Sequence, residues 1–276
     1  MKSVDLFAGA GGASLGLRDA GYEHLACIEL CPFAVATLVA AGFPAINGDV
    51  RDLRLVRGLK PDLVWSSFPC QDWSTAGRRQ GPDGDRNGWP WTIDAIDAMK
   101  PRWFIAENVT GLTQHKGACD PTCLGPEVCP AAYLDLVILK QLRDRYDVVS
   151  TRVLNASSFG VPQHRRRLII VAGPSKIRFP EPTHGKPTKQ VGLFGAQTKP
   201  WTTVREALGL AAWGTATNLS GNGNPGIPQS PDTPSCQPVA GGHALGGLYG
   251  WDRVQLDGGR NSDNNPGQER PHTLEE

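Results

Sequence analysis

The chain lacks any apolar run long enough to cross a bilayer, and nothing in its 276 residues reads as a targeting leader. Both absences point to the cytoplasm and away from membrane chemistry. Charge of a dominant sign is also missing. With 28 Lys and Arg against 27 Asp and Glu, the net charge of +1 neither supports nor excludes nucleic acid. There is no internal repeat, so no repeat architecture is expected. The cysteine count is seven, an odd number in a chain without a secretory signal. A disulfide framework is therefore not expected, and thiol chemistry or metal binding fits better. What remains is an ordinary globular composition, 39% hydrophobic and long enough for one large domain or for a domain with a smaller lobe.

From Lys2 to about Ala172, short apolar runs alternate with helix-like segments, the pattern of a sheet flanked by helices. Strands are predicted at Ser3–Phe7, Leu25–Glu29, Asp62–Ser66, Trp103–Glu107, Val148–Asn155 and Leu168–Ala172, the last two antiparallel. Helices are predicted at Ala13–Ala20, Pro32–Ala41, Thr92–Met99 and Leu134–Arg145. After Gly173 the texture changes. Pro180, Pro182, Pro187, Gly209 and the run from Gly221 to Gly226 interrupt any long element. A boundary near Pro174 follows, separating residues 1–173 from a smaller, loop-rich region at 174–276.

Four stretches carry chemistry. The first strand runs into Asp5-Leu6-Phe7-Ala8-Gly9-Ala10-Gly11-Gly12 and then a helix, a junction where glycines let backbone approach a ligand. Tight packing alone gives the same pattern. Downstream, Glu29 ends the second strand, placed to bind ribose hydroxyls, and Gly48-Asp49-Val50 adds an acid that can accept from an adenine amino group. No phosphate-binding lysine motif accompanies them, so a nucleoside without pyrophosphate fits best, and S-adenosylmethionine is the cofactor suggested.

Next, Ser66-Ser67-Phe68-Pro69-Cys70-Gln71-Asp72-Trp73-Ser74 places Cys70 just past a buried strand, a nucleophile's position, with a loop from Thr75 to Gly88 after it. Taken alone, Cys70 fits a small buried hydrophobe better, and only the motifs elsewhere in the chain reverse that reading. Glu107-Asn108-Val109 brings a carboxyl group to the same edge; protonated, it would donate to a ring nitrogen and activate a heterocycle toward a thiolate. In Gly160-Val161-Pro162-Gln163-His164-Arg165-Arg166-Arg167, a strand beginning at Arg167 would put Arg165 and Arg167 on one side, able to hold a base carbonyl and a phosphate. A basic edge strand that blocks aggregation is the alternative.

In this order and spacing, the glycine turn with its downstream Glu, Pro-Cys-Gln, Glu-Asn-Val and Gln-x-Arg-x-Arg make the chain resemble the cytosine-5 DNA methyltransferase family from Ser3 to about Gly173. The resemblance implies an α/β, Rossmann-like S-adenosylmethionine-dependent methyltransferase domain with a smaller loop-rich target-recognition lobe. It implies a cytosine flipped out of double-stranded DNA, because a thiol cannot reach carbon 6 within the stack. By the same resemblance Cys70 is the nucleophile and Glu107 holds ring nitrogen 3 and the exocyclic amine. Arg167 meets the base carbonyl with Arg165 beside it. Gln71, Ser74 and Arg86 belong to the closing loop. Phe7, Gly9, Gly11, Gly12, Glu29, Leu30, Asp49, Val50 and Pro69 line the cofactor. A restriction–modification or phage-protection setting, an RNA-directed relative and a non-catalytic DNA-binding remnant are the readings it leaves.

Two further motifs expected of the family, an Arg-rich helix and a later Gly-Asn segment, are not found. The accounts left are a split enzyme completed by a second polypeptide, a truncated product with weak or no activity, and a minimal variant that closes its pocket differently; the first two are preferred, with weak S-adenosylmethionine binding expected of the chain alone. Finally, His115, Cys119, Cys123 and Cys129 fall within one insertion, either as a structural zinc site or as small thiols without metal, since no Cys-x-x-Cys pair is present.

Overall fold

The computed structural model describes residues 1–69, 87–115, 129–186 and 198–208, with the backbone of short strands at 216–219, 225–229 and 235–236. Its centre is a seven-stranded sheet. In chain order the strands and helices are β1 (Lys2–Leu6), α1 (Gly12–Asp19), β2 (Glu23–Glu29), α2 (Pro32–Ala40), β3 (Ala45–Asn47), β4 (Leu63–Ser66), α3 (Trp89–Met99) and β5 (Trp103–Val109). There follow α4 (Pro130–Tyr133), a π-helical stretch Leu134–Leu139, α5 (Lys140–Arg143), β6 (Val148–Asn155), β7 (Gln163–His164) and β8 (Arg166–Gly173). Beyond these lie β9 (His184–Gly185), β10 (Lys199–Pro200), α6 (Val204–Leu208), β11 (Ala216–Leu219), β12 (Pro225–Gln229) and β13 (Ser235–Cys236).

The strand order is β3-β2-β1-β4-β5-β8-β6. β1 to β5 run parallel, whereas β8 is antiparallel to both β5 and β6. Parallel strands are covered on both faces, and this explains why Val4, Leu6, Ile28, Val64, Phe104 and Ala106 are all buried. The core continues into α3 through Trp89, Ile93, Ile96 and Met99 and into the later helices through Ile138, Leu139 and Leu142. Because β2 and β3 follow β1 to one side while β4 and β5 follow it to the other, the order reverses between β1 and β4. The carboxyl ends of strands at such a reversal leave a crevice.

Predicted and observed elements differ by a few residues at several ends, and one strand was missed. β3 is absent from the predicted strands because it has only three residues between Pro44 and Gly48. α3 begins at Trp89, not Thr92, since Pro90 sits within the first turn, where its missing N–H costs nothing. β8 begins at Arg166, two residues before the predicted start at Leu168, and Arg166 pairs with Asn155. The helix predicted over Leu134–Arg145 starts at Pro130 and passes through the π stretch, burying Leu134, Ile138, Leu139 and Leu142 together.

Candidate cofactor cleft and active site

At the crevice, a cleft of about 500 Å³ is lined by Phe7, Ile28, Glu29, Leu30, Gly48, Asp49, Val50, Arg51, Ser67, Pro69 and Trp91. These residues come from the carboxyl ends of β1, β2, β3 and β4, with Trp91 added by the first turn of α3. The turn after β1 is wound tightly. Phe7 has φ 57°, a left-handed conformation costly for a residue with a side chain, and Gly9 and Gly11 follow at φ 55° and 92°. Ala8 N–H donates to the Ile28 carbonyl at 3.0 Å, and a Cβ on Gly11 would come within 2.7 Å of Leu38 in α2. The glycine is thus required by packing as well as by backbone conformation.

Glu29 holds this turn. Its Oε2 accepts from Gly9 N–H and its Oε1 from Cys31 N–H, each at 2.8 Å. A carboxylate has about four acceptor positions, so two amides leave capacity for a ligand's hydroxyls. Asp49 accepts from Arg51 through the backbone N–H and Nε, both at 2.9 Å, and through a terminal nitrogen at 2.5 Å. Those hydrogen bonds hold its carboxyl below the ordinary range. The Arg51 guanidinium in turn lies over the Trp91 ring, 5.0 Å from its centroid. Beneath the turn, Asp5 accepts from Ser14 Oγ at 2.5 Å, and Ser14 also lies 3.5 Å from the buried Cys27 thiol. Burial pushes Asp5 up to about 7 and Cys27 up to about 11, so Cys27 is an inert thiol at neutral pH.

Beside the cleft, β4 and β5 run parallel with Ser66 opposite Ala106. Two residues further on, Asn108 Nδ2 donates to the Phe68 carbonyl at 3.1 Å and fixes the chain just before Pro69. Gly88 N–H donates to the Pro69 carbonyl at 2.9 Å, and a Cβ on Gly88 would sit 2.5 Å from Pro69 Cδ. Asn87 Nδ2 donates to Tyr133 Oη at 2.7 Å. The two ends of segment 70–86 are therefore stapled together and anchored to α4.

Glu107 points to the opposite face of β5 from Asn108, as alternation requires. There Arg167 Nε lies 2.7 Å from Glu107 Oε1, and a terminal nitrogen of Arg165 lies 3.6 Å from the same oxygen. Arg167 stands opposite Val109 in the antiparallel ladder, making it a diagonal neighbour of Glu107. Arg165 and Arg167 thus share one side of the chain.

Of the residues singled out by sequence, Phe7, Glu29, Leu30, Asp49, Val50 and Pro69 meet at the cleft, and Glu107, Arg165 and Arg167 meet beside it. Gly9, Gly11 and Gly12 are not among the lining residues; the first two shape the turn. Cys70, Gln71, Ser74, Arg86, Cys119 and Cys123 lie outside the described residues. Sequence reasoning missed Ile28, Gly48, Arg51, Ser67 and Trp91 in the cleft, and Asn87, Gly88 and Asn108 as anchors. Trp91 was findable, because allowing proline in the first turn brings Trp89-Pro90-Trp91 into α3.

Comparison with known proteins bears on the family and the fold. The model of the C-5 cytosine-specific DNA methylase family matches residues 1–222. The Type II methyltransferase M.AquIA of Picosynechococcus sp. is 34% identical over 223 residues, which is 75% of this chain and 87% of that protein. M.NaeI of Lentzea aerocolonigenes is 36% identical over 197 residues, covering 68% of this chain and 44% of its own length. M.XorII of Xanthomonas oryzae pv. oryzae is 32% identical over 219 residues, with 75% and 45% covered. The chain therefore spans most of M.AquIA and under half of the other two. A crystal structure of an E. coli prophage-encoded DNA modification methyltransferase superposes with a TM-score of 0.51 at 19% identity, over 75% of this chain and 54% of that one, a likeness of fold. With its Rossmann-like sheet, its cleft at the strand reversal and a family match over most of its length, the chain belongs to the C-5 cytosine-specific DNA methylase family.

Proposed function

We propose that this chain carries the transfer of a methyl group from S-adenosylmethionine to carbon 5 of a cytosine flipped out of double-stranded DNA, with Cys70 as nucleophile at carbon 6, in a restriction–modification setting. The observation that carries the reading is the convergence of the cleft, the Pro69 junction and the Glu107–Arg165–Arg167 cluster on one edge of the sheet. The donor set suits the cofactor. Glu29 offers acceptors for ribose hydroxyls, Ile28, Leu30, Val50 and Trp91 offer an apolar wall, and Asp49 accepts from an amino group. When bound, S-adenosylmethionine supplies an electrophilic methyl group.

The protein's own residues prepare the base. Addition of the Cys70 thiolate to carbon 6 forms the S–C bond and turns carbon 5 into a nucleophile. Glu107 holds ring nitrogen 3 and the exocyclic amine, while Arg167 and Arg165 hold the base carbonyl and a phosphate. Once carbon 5 has taken the methyl group, passage of its proton to a base or water restores the 5,6 double bond and expels Cys70 as thiolate. In the same reading residues 174–276 recognise the target sequence, and a second polypeptide completes the cofactor pocket. Leu30, 63% exposed at the cleft, and Phe33, 83% exposed in the first turn of α2, offer apolar surface for it to cover.

The test is transfer of isotopically labelled methyl to duplex DNA, followed by digestion to nucleosides. Label in 5-methyldeoxycytidine is expected. Label only in RNA, or in another base, overturns the substrate. Calorimetry on the chain alone is expected to show weak S-adenosylmethionine binding, and nanomolar binding removes the need for a second polypeptide.

A further inference from the structure

Arg165 and Arg167 both reach Glu107, but they are not held alike. The Arg167 side chain is 13% exposed with its Nε 2.7 Å from Glu107 Oε1, the length of a charge-assisted hydrogen bond, so the ion pair itself fixes it. The Arg165 side chain is 43% exposed, and its terminal nitrogen stands 3.6 Å from the same oxygen. At that exposure and distance an ion pair contributes little, so the place of Arg165 is set by its backbone. That backbone is short of ladder support. β7 holds two residues, Gln163 and His164, and its partner β13 is equally short.

The side chain of His164 supplies what the ladder does not. Its Nδ1 lies 2.9 Å from the hydroxyl of Ser157, a fully buried residue in the short 3-10 turn Ala156–Phe159 after β6, and 3.5 Å from Nδ2 of Asn155. The ring also packs edge-on against Trp201, with centroids 4.8 Å apart and planes at 86°. Trp201 is tied in turn to the stretch after the main sheet. Its N–H donates to the Gly185 carbonyl at 3.1 Å, and Thr183 N–H donates to the Ser158 carbonyl at 2.9 Å. The imidazole is therefore gripped between the end of β6 and the residues around Gly185 and Trp201. On the backbone, Ala156 N–H donates to the Arg165 carbonyl at 3.0 Å, and Arg166 pairs with Asn155. With His164 held on one side, alternation sends Arg165 to the other.

We propose that His164 is a positioning residue: gripped by Ser157 and Trp201, it sets the direction in which Arg165 leaves the chain toward Glu107. The proposal rests on the reading above, in which Arg165 and Arg167 hold the flipped base and a phosphate. It deepens that reading, because Trp201 lies in the region read as recognising the target sequence. The His164 ring then joins that region to the residues around the base. It acts through Arg165 and leaves the tighter pair of Arg167 with Glu107 to hold itself.

The experiment combines crystal structures with methyl-transfer kinetics of the full chain, for wild type, His164→Ala, Arg165→Ala and the double variant. In His164→Ala the Arg165 guanidinium is expected to leave Glu107 while Arg167 stays, and kcat is expected to fall about tenfold with KM for S-adenosylmethionine little changed. In the Arg165→Ala background the same substitution should lower kcat no further, since the group through which it acts is gone. A purely structural role would make the two losses multiply. Ser157→Ala removes one hydroxyl from the grip and leaves the ring in place. It should repeat the pattern at smaller size, and it decides the matter if His164→Ala does not fold. Arg165 unmoved in the folded variants, or losses that multiply in the double variant, overturn the proposal. Wild-type protein that transfers no methyl overturns the catalytic reading instead, and the crystal structures still decide whether His164 places Arg165.

Discussion

Asp5 occupies a fully buried position on β1, with one oxygen accepting from Ser14 and the other, Oδ1, without a hydrogen-bond partner. Burial is the largest cause of its rise to about 7. The Ser14 hydrogen bond opposes the rise, and the Glu29 charge adds to it. Its folded pKa thus lies above the unfolded value, so the folded state keeps a proton that the unfolded chain gives up. The stabilisation is fully present below the unfolded value of 3.8 and is lost as pH rises through about 7. A shift of about three units corresponds to a few kcal/mol, roughly 4 at most. Urea unfolding at about pH 5 and about pH 8 should show wild-type protein losing stability across that window. Asp5→Asn should remove most of the difference; an unchanged pH slope in the variant would place the titration elsewhere. Glu29 acts one turn away. Glu29→Gln replaces one acceptor with a donor facing a backbone amide. It should weaken S-adenosylmethionine binding at least tenfold and cost about 1 to 3 kcal/mol, measured by calorimetry and denaturant unfolding.

At the scale of elements, what matters is how ends are tied. The segment carrying Cys70 leaves β4 at Pro69 and returns at Asn87, and the contacts of Gly88 with Pro69 and of Asn108 with the Phe68 carbonyl close its base. Gly88→Ala forces a methyl group against the Pro69 ring, which should cost about 1 to 3 kcal/mol and lower kcat more than it changes KM. Asn108→Leu leaves the Phe68 carbonyl without that donor and should destabilise by a similar amount. Steady-state kinetics beside thermal unfolding check both, and wild-type kcat in either variant would mean that the staple does not position the nucleophile. Much of this level was legible in the sequence. Apolar runs found six strands of the main sheet within a few residues; for β1, β2, β4 and β5 the reason is that buried parallel strands read as continuous hydrophobic stretches. β3 was too short to register, and Pro90 hid the first turn of α3. The π stretch has no periodicity of its own to read.

For the whole molecule, strand order decides where the parts meet. The alternation of Arg165 and Arg167, together with the placement of Glu107 at the end of β5, foreshadowed their convergence, which the ladder between β5 and β8 realises. The cleft walls were only half visible beforehand. Arg51, Ser67 and Trp91 come from two separate strand ends and a helix, and only the parallel order β3-β2-β1-β4 brings them together. Glycines illustrate the other half of the lesson: a glycine turn suggests ligand contact, yet Gly11 is explained by Leu38 packing. No helix among the described residues is long and apolar enough to cross a membrane.

The central claim is that Cys70 attacks a cytosine presented beside the cleft, and covalent trapping tests it most directly. Duplex DNA in which the target cytosine carries fluorine at carbon 5 cannot complete the elimination, so the enzyme should remain bound through sulfur after methyl transfer. With S-adenosylmethionine present, peptide mapping is predicted to find the methylated base on Cys70 and no adduct in Cys70→Ser. An adduct on another residue, an adduct that survives Cys70→Ser, or no adduct with wild-type protein would contradict the account.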